Sequence, residues 1–160
     1  MNSSVVRPAP LAEDVTVTDS TIHVVLSDAR EIAVPVAWFP RLSGASPTQR
    51  ANWRMIGRGE GIHWPDVDED ISISSLLRLV PDTHVTSVTV TDHALTVGLK
   101  DGRTISAPLA WYPRLLDGTR EQRANWQISG AGYGIHWPDL DEDLGTDGLL
   151  LGVPAPRRAA

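Results

Sequence analysis

The chain of 160 residues contains no cysteine. That absence excludes disulfide staples, thiolate chemistry and cysteine-ligated metal, and it accords with a reducing, cytoplasmic setting. Lysine is nearly missing too: of 14 basic residues only Lys100 is not an arginine. Positive charge is short overall, because 20 acidic residues leave a formal net charge of −6. A protein that grips phosphates carries a basic footprint, so direct nucleic-acid binding is not expected. No apolar run approaches the ~20 residues that span a bilayer. The opening Met1-Asn2-Ser3-Ser4 lacks the charged and apolar regions of a secretory signal. No membrane partner is therefore expected. Aromatic residues are few, but six of the nine are tryptophan, so a core built from a few large pieces is expected.

What is present is written twice. A shift of 73 positions lays Trp38, Trp53 and Trp64 on Trp111, Trp126 and Trp137, and 35 of 66 positions agree between 15–80 and 88–153 without a gap. So long a period in two copies is a duplicated domain, not a solenoid. Units this small bury only about 60% of their unfolded surface and are marginal alone. Two copies sharing an interface about a pseudo-two-fold axis, an intramolecular pseudo-dimer, is the expected remedy. The acid is shared: residues 15–80 sum to −2 and residues 88–153 to −4.

Within a copy, Val15–Asp19 and Ile22–Leu26 read as strands, as do Val88–Asp92 and Leu95–Leu99, from their β-branched and alternating residues. Asp101-Gly102 is a hairpin signal, which Ala29 after Asp28 matches poorly, since such turns need φ > 0. Third strands follow at 30–34 and 103–107. Ser46-Pro47-Thr48-Gln49 and Thr119-Arg120-Glu121-Gln122 are capping boxes, each opening a helix expected to run through Trp53 or Trp126 and stop near Gly57 or Gly130. A short fourth strand at 61–65 and 134–138, an acidic loop, and a final helical turn at Leu76-Leu77 and Leu149-Leu150 complete the unit. That turn is expected to be weaker in copy two, where Gly145 and Gly148 interrupt it. The expected fold is α+β: two tandem copies of a small antiparallel sheet, a three-stranded meander plus a short fourth strand, with short helices, packed as a pseudo-symmetric dimer. The expected boundaries are a leader at 1–14, repeat domains at 15–80 and 88–153 joined by a linker at 81–87, and a tail at 154–160.

Three motifs recur: Pro-x-Ala-Trp-[Phe/Tyr]-Pro-Arg-Leu at 35–42 and 108–115, Gln-Arg-Ala-Asn-Trp at 49–53 and 122–126, and Gly-Ile-His-Trp-Pro-Asp-x-Asp-Glu-Asp at 61–70 and 134–143. Together they resemble the small bacterial domain of unknown function 2442, over both copies. The resemblance implies a family not known for enzymes, with many single-copy members. Some carry an appended helix-turn-helix, and some are encoded beside a small partner in an arrangement similar to a toxin–antitoxin pair. This chain departs in being tandem and in showing no segment that fits a helix-turn-helix, so the DNA binding of that appended module is not carried over.

The sharpest constellation is His63 with Asp66, Asp68, Glu69 and Asp70, and its copy His136 with Asp139, Asp141, Glu142 and Asp143. One reading is a divalent cation site of oxygen ligands and an imidazole, built from His63, Asp66 and Asp68 and from His136, Asp139 and Asp141. The other is a solvated loop, with strand alternation sending His63 to one face and Ile62 and Trp64 to the other. Neither a calcium loop nor a His-x-x-x-His pair is present. No pair of carboxylates in visibly different environments suggests acid–base catalysis, and no cofactor is expected. Trp53 and Trp126 are expected in the core, and Trp38 and Trp111 at the end of the sheet. Trp64 and Trp137 are placed either in the core or at a partner surface. Arg41, Arg114, Arg50 and Arg123 are expected to pair with the acidic loops or to anchor a partner. The leading expectation is a non-enzymatic interaction module, an adaptor or antitoxin-like protein, that binds another bacterial protein, such as the product of an adjacent gene. Its edge would comprise Trp64, Asp66, Asp68, Glu69, Trp137, Asp139, Asp141 and Glu142. A metal-dependent enzyme or binder, and a regulator acting with a DNA-binding partner, are the competing classes.

Overall fold

The computed structural model describes residues 9–155. In the first copy, strands β1 (Ala12–Val17), β2 (Thr21–Leu26) and β3 (Glu31–Pro35) form the expected antiparallel meander. Helices α1 (Pro40–Ser43) and α2 (Pro47–Ala51) follow, then strands β4 (Arg54–Ile56), β5 (Gly61–Trp64) and β6 (Glu69–Ser72), and helix α3 (Ile73–Leu76). The second copy repeats the series: β7 (Val85–Val90), β8 (Ala94–Leu99), β9 (Thr104–Pro108), α4 (Pro113–Leu116), α5 (Arg120–Ala124), β10 (Gln127–Ser129), β11 (Gly134–Trp137), β12 (Glu142–Gly145) and α6 (Thr146–Leu151).

The two meanders join edge to edge into one six-stranded antiparallel sheet of order β1-β2-β3-β9-β8-β7. At the junction Ile32 faces Ile105, flanked by Glu31 opposite Ser106 and Ala33 opposite Thr104. Ile105 is the duplicate of Ile32, so the pseudo-two-fold axis passes through this pair and the interface is isologous, like that of a symmetric homodimer. Pairing β3 with β9 consumes two strand edges that would otherwise stay open. The remaining outer strands, β1 and β7, each carry a register shift at the same place, between Ala12 and Asp14 and between Val85 and Ser87. Such bulges twist an edge away from further pairing.

Alternation along β2 and β3 buries Ile22, Val24, Leu26, Ile32 and Val34 on one face, and β8 and β9 bury Leu95, Val97, Leu99, Ile105 and Ala107. These residues meet Leu42, Ile62, Trp64, Ile71 and Leu76 and their duplicates in a single hydrophobic cluster that runs through both copies. The copies therefore share one core, which answers the marginal size of each.

Several local expectations need correction. The capping boxes form, with Ser46 and Thr119 accepting from the N–H of Gln49 and Gln122. The helices they open end at Ala51 and Ala124, however, and Trp53 and Trp126 lie beyond them. The fourth strand is the middle of a separate three-stranded sheet in each copy, β4-β5-β6 and β10-β11-β12. The acidic segment is not wholly a loop, because Glu69 and Asp70 pair with Trp64 and His63 across a hairpin. The last helix is longer in the second copy, six residues against four, the reverse of the expectation, and it ends on Gly152 at φ 75°. Ala29 adopts φ 73° and Gly102 φ 95°, so both copies make the same turn and alanine bears the left-handed conformation. Strand β1 starts inside the expected leader, and β7 inside the expected linker. Residues 1–8 of that leader and 156–160 of the tail lie outside the described residues. No helix among the described residues is long and apolar enough to cross a membrane.

Candidate interaction surface

Each acidic hairpin is held from below by its tryptophan. Trp64 and Trp137 are fully buried, and their indole N–H groups donate to the carbonyls of Arg50 and Arg123 at 3.0 Å. Strand alternation dictates this: Ile62 and Trp64 face the core while His63 is half-buried on the other side. The expectation that Trp64 and Trp137 contact a partner is therefore corrected, because their rings have no surface to offer. Glu142 is corrected likewise, being only 8% exposed, while Glu69, its duplicate, is half-buried.

Above the tryptophans the carboxylates face solvent. Asp66, Asp68 and Asp70 are exposed in the first copy, and Asp139, Asp141 and Asp143 in the second. The hairpin turns place Asp68 at φ 51° and Asp141 at φ 48°. Three contacts fix each turn. Asn52 Nδ2 donates to Asp66 Oδ2 at 2.9 Å, and Asn125 to Asp139 at 2.9 Å. Arg41 Nη1 donates to the Asp68 carbonyl at 2.6 Å, and Arg114 to that of Asp141. Across the strands His63 Nδ1 meets Asp70 Oδ1 at 2.5 Å, and His136 meets Asp143 at 2.7 Å. Arg41 and Arg114 thus take the within-copy role expected of them.

The cation alternative does not assemble from these parts. His63 turns to Asp70, not to Asp66 or Asp68, and His136 turns to Asp143, not to Asp139 or Asp141. Among the described residues no three His, Asp or Glu side chains gather closely enough to hold a metal ion. Asp66 and Asp139 are instead drawn towards asparagine amides, which compete for the oxygen lone pairs a cation would need.

Arg50 and Arg123 do not reach the acidic hairpins. Arg50 pairs with Asp19 at 2.7 Å and donates to the carbonyls of Leu42 and Ser43. Arg123 does the same with Asp92, Leu115 and Leu116. They lock helices α1 and α4 to the β1–β2 and β7–β8 turns. Trp38 and Trp111 do sit at the sheet's end, and each carries an arginine from the other copy: Arg103 lies over Trp38 at 5.4 Å and Arg30 over Trp111 at 5.9 Å.

That exchange is the feature sequence reasoning missed. Arg30 is 1% exposed, pairs with Asp28 at 2.9 Å, and donates to the carbonyls of Leu149 and Leu150 at the end of α6. Arg103 is fully buried, pairs with Asp101 at 2.7 Å, and donates to the carbonyls of Leu76 and Arg78 after α3. Each arginine thus satisfies helix C-terminal carbonyls of the opposite copy. The available signal was the repeated Asp-x-Arg at 28–30 and 101–103.

The family described as Protein of unknown function (DUF2442) matches residues 12–82 and again residues 85–155. No curated protein matches the chain. Among solved structures, a protein of unknown function from Rhodospirillum rubrum ATCC 11170 is similar at 26% identity, over 49% of this chain and 95% of that one, with a TM-score of 0.42.

Proposed function

The chain belongs to the DUF2442 family of proteins of unknown function, as two tandem copies, and from that premise we propose that it is a non-enzymatic interaction module of the bacterial cytoplasm. It acts as an adaptor or antitoxin-like protein, binding a basic surface of another protein through its acidic hairpins. The observation that carries this reading is the pair of hydrogen-bonded turns that expose Asp66, Asp68 and Asp70 and, again, Asp139, Asp141 and Asp143. Preorganised carboxylates cost little ordering on binding, and like-signed clusters steer an oppositely charged partner. Because the hairpins are duplicated on one shared core, a two-fold partner would meet both at once and gain avidity.

The test is co-purification with the product of the adjacent gene, at micromolar concentration. Capture that weakens with salt and is lost when Asp66, Asp68, Asp139 and Asp141 are all replaced by asparagine supports the reading. Substituting one hairpin alone should weaken capture by at least roughly tenfold if both engage. A chain that stays alone with its neighbour, or a neutralised variant that binds as well as the native protein, ends it.

A further inference from the structure

The second copy departs from the first around one cavity, of about 180 Å³, lined by Tyr112, Glu142, Leu144, Gly145, Gly148, Leu149 and Val153, among others. We propose that this cavity binds a short aliphatic primary amine, its ammonium held between the Glu142 carboxylate and the Tyr112 hydroxyl oxygen and its chain laid against Leu144, Leu149 and Val153. The site adjoins the partner surface proposed above and shares Asp143 with it, but the amine titration below reads it separately.

The first observation is an orphaned polar atom. Tyr112 is 1% exposed, and among the described residues its Oη is the buried side-chain atom that lacks a hydrogen-bond partner. The duplicate position holds a half-buried Phe39, which has no hydroxyl. A buried hydroxyl left unsatisfied is costly, and the atom is kept here beside a cavity that admits a partner.

The second observation is a carboxylate in no salt bridge among the described residues. Glu142 is 8% exposed, and its Oε1 accepts the N–H of Asp143. Arg114 acts on it only at a distance, its guanidinium pairing with Asp141. Buried charges are ordinarily paired. Glu142 and Tyr112 are both able to accept hydrogen bonds, which suits an ammonium with three donors, while Asp143, also in the lining, is taken by His136. A carboxylate ligand would meet Glu142 as a like charge, and a neutral alcohol would leave it unpaired.

The third observation is space made by a small residue. Gly148 stands where the first copy has Ser75; at Gly145, the counterpart of Ser72, a Cβ would already run into Asp147 Oδ1. Gly148 lies inside α6, where glycine costs about 1 kcal/mol relative to alanine, and a Cβ added there would meet nothing within 4 Å. A cavity near 150 Å³ accommodates a molecule of about six heavy atoms, which sets the size of the ligand.

Calorimetric titration of the full chain with n-butylammonium, n-butanol and n-butyrate tests the proposal. n-Butylammonium should bind and raise the melting temperature, n-butanol should bind at least roughly tenfold more weakly, and n-butyrate not at all. Glu142→Gln should abolish amine binding. Tyr112→Phe, which installs the residue of the first copy, should weaken it roughly three- to tenfold, and Gly148→Ser should block it by filling the cavity. Each variant must keep the native circular dichroism and a single unfolding transition. If none of the three probes binds, the hydroxyl serves water alone and the proposal falls. It falls equally if n-butanol matches the amine, or if Tyr112→Phe and Glu142→Gln bind as the native chain does.

Discussion

Replacing Arg103 by alanine should be among the most damaging single changes in the molecule. Arg103 is 0% exposed, and the Asp101 side chain beside it is 2% exposed. The substitution strands that carboxylate and opens the carbonyls of Leu76 and Arg78, which the guanidinium holds at 3.0 and 2.6 Å. Breaking a buried pair by removing one partner costs about 3–5 kcal/mol, because the remaining charge stays desolvated. Arg30 plays the symmetric part, but its partner Asp28 is 30% exposed, so water can rehydrate the carboxylate left behind. Arg30→Ala should cost less, about 2–3 kcal/mol. Against a typical total of about 5–15 kcal/mol, either loss is large. Urea unfolding followed by tryptophan fluorescence and circular dichroism reads both, provided the slope m is unchanged. Removing the stranded acid as well, in Arg103→Ala with Asp101→Ala, should recover part of the loss. A cost below about 1 kcal/mol for Arg103→Ala would refute the argument, as would Arg30→Ala proving the more damaging.

Two further outcomes follow from local geometry. Ala29→Gly relieves a left-handed alanine at φ 73°, worth about 1–2 kcal/mol less the entropy of glycine, so a net gain of about 0.5–1 kcal/mol is expected in the urea midpoint. Burial, opposed by the N–H of Asp143, holds the Glu142 carboxyl above its ordinary value of 4.5. A carboxyl whose pKa is raised on folding favours the native state when protonated, and that support is lost as pH rises from the unfolded value through the folded one. Glu142→Gln should therefore flatten the decline in stability above about pH 4.5, measured by urea midpoints from acid to neutral pH. An unchanged profile would show that Glu142 does not titrate differently on folding.

The meanders and helix entries were legible because their signals are local. β-Branched alternation marks β1 to β3 and β7 to β9, and Ser46 and Thr119 announce α2 and α5. Strands β4 and β10 were not, since three residues such as Arg54-Met55-Ile56 are too few to show a period. By its spacing Gly57 marks a helix stop, whereas its φ of 60° turns a hairpin. Glu69 and Asp70 looked like loop because acidic residues are uncommon in strands, yet their strand is fixed by pairing with Trp64 and His63. At the candidate surface, the exposed aspartates were legible from the acidic run alone. The burial of Trp64 and Trp137 needed the position of Arg50 and Arg123. Arg30 and Arg103 were illegible for a deeper reason: each is buried by the opposite copy, at a separation of 23 residues or more.

The exchange of arginines also determines what half of the molecule should do. In residues 9–83 alone, β3 loses β9, and the carbonyls of Leu76 and Arg78 lose Arg103. Everything lost is available from a second molecule of the same fragment. Ile32 faces its own duplicate at the axis, so two fragments can pair β3 with β3 in the same register, and Arg30 can take the place of Arg103 over Trp38. Such a fragment should be an obligate homodimer whose melting temperature rises with concentration, since folding and association are then one equilibrium. Ile32→Asp places a charge on each side of the axis and should leave it unfolded at every accessible concentration. Sedimentation together with thermal melting over a hundredfold range of concentration decides the matter. A folded monomer, melting at one temperature throughout, would mean that each copy closes its own core and that the arginines stabilise the junction without creating it.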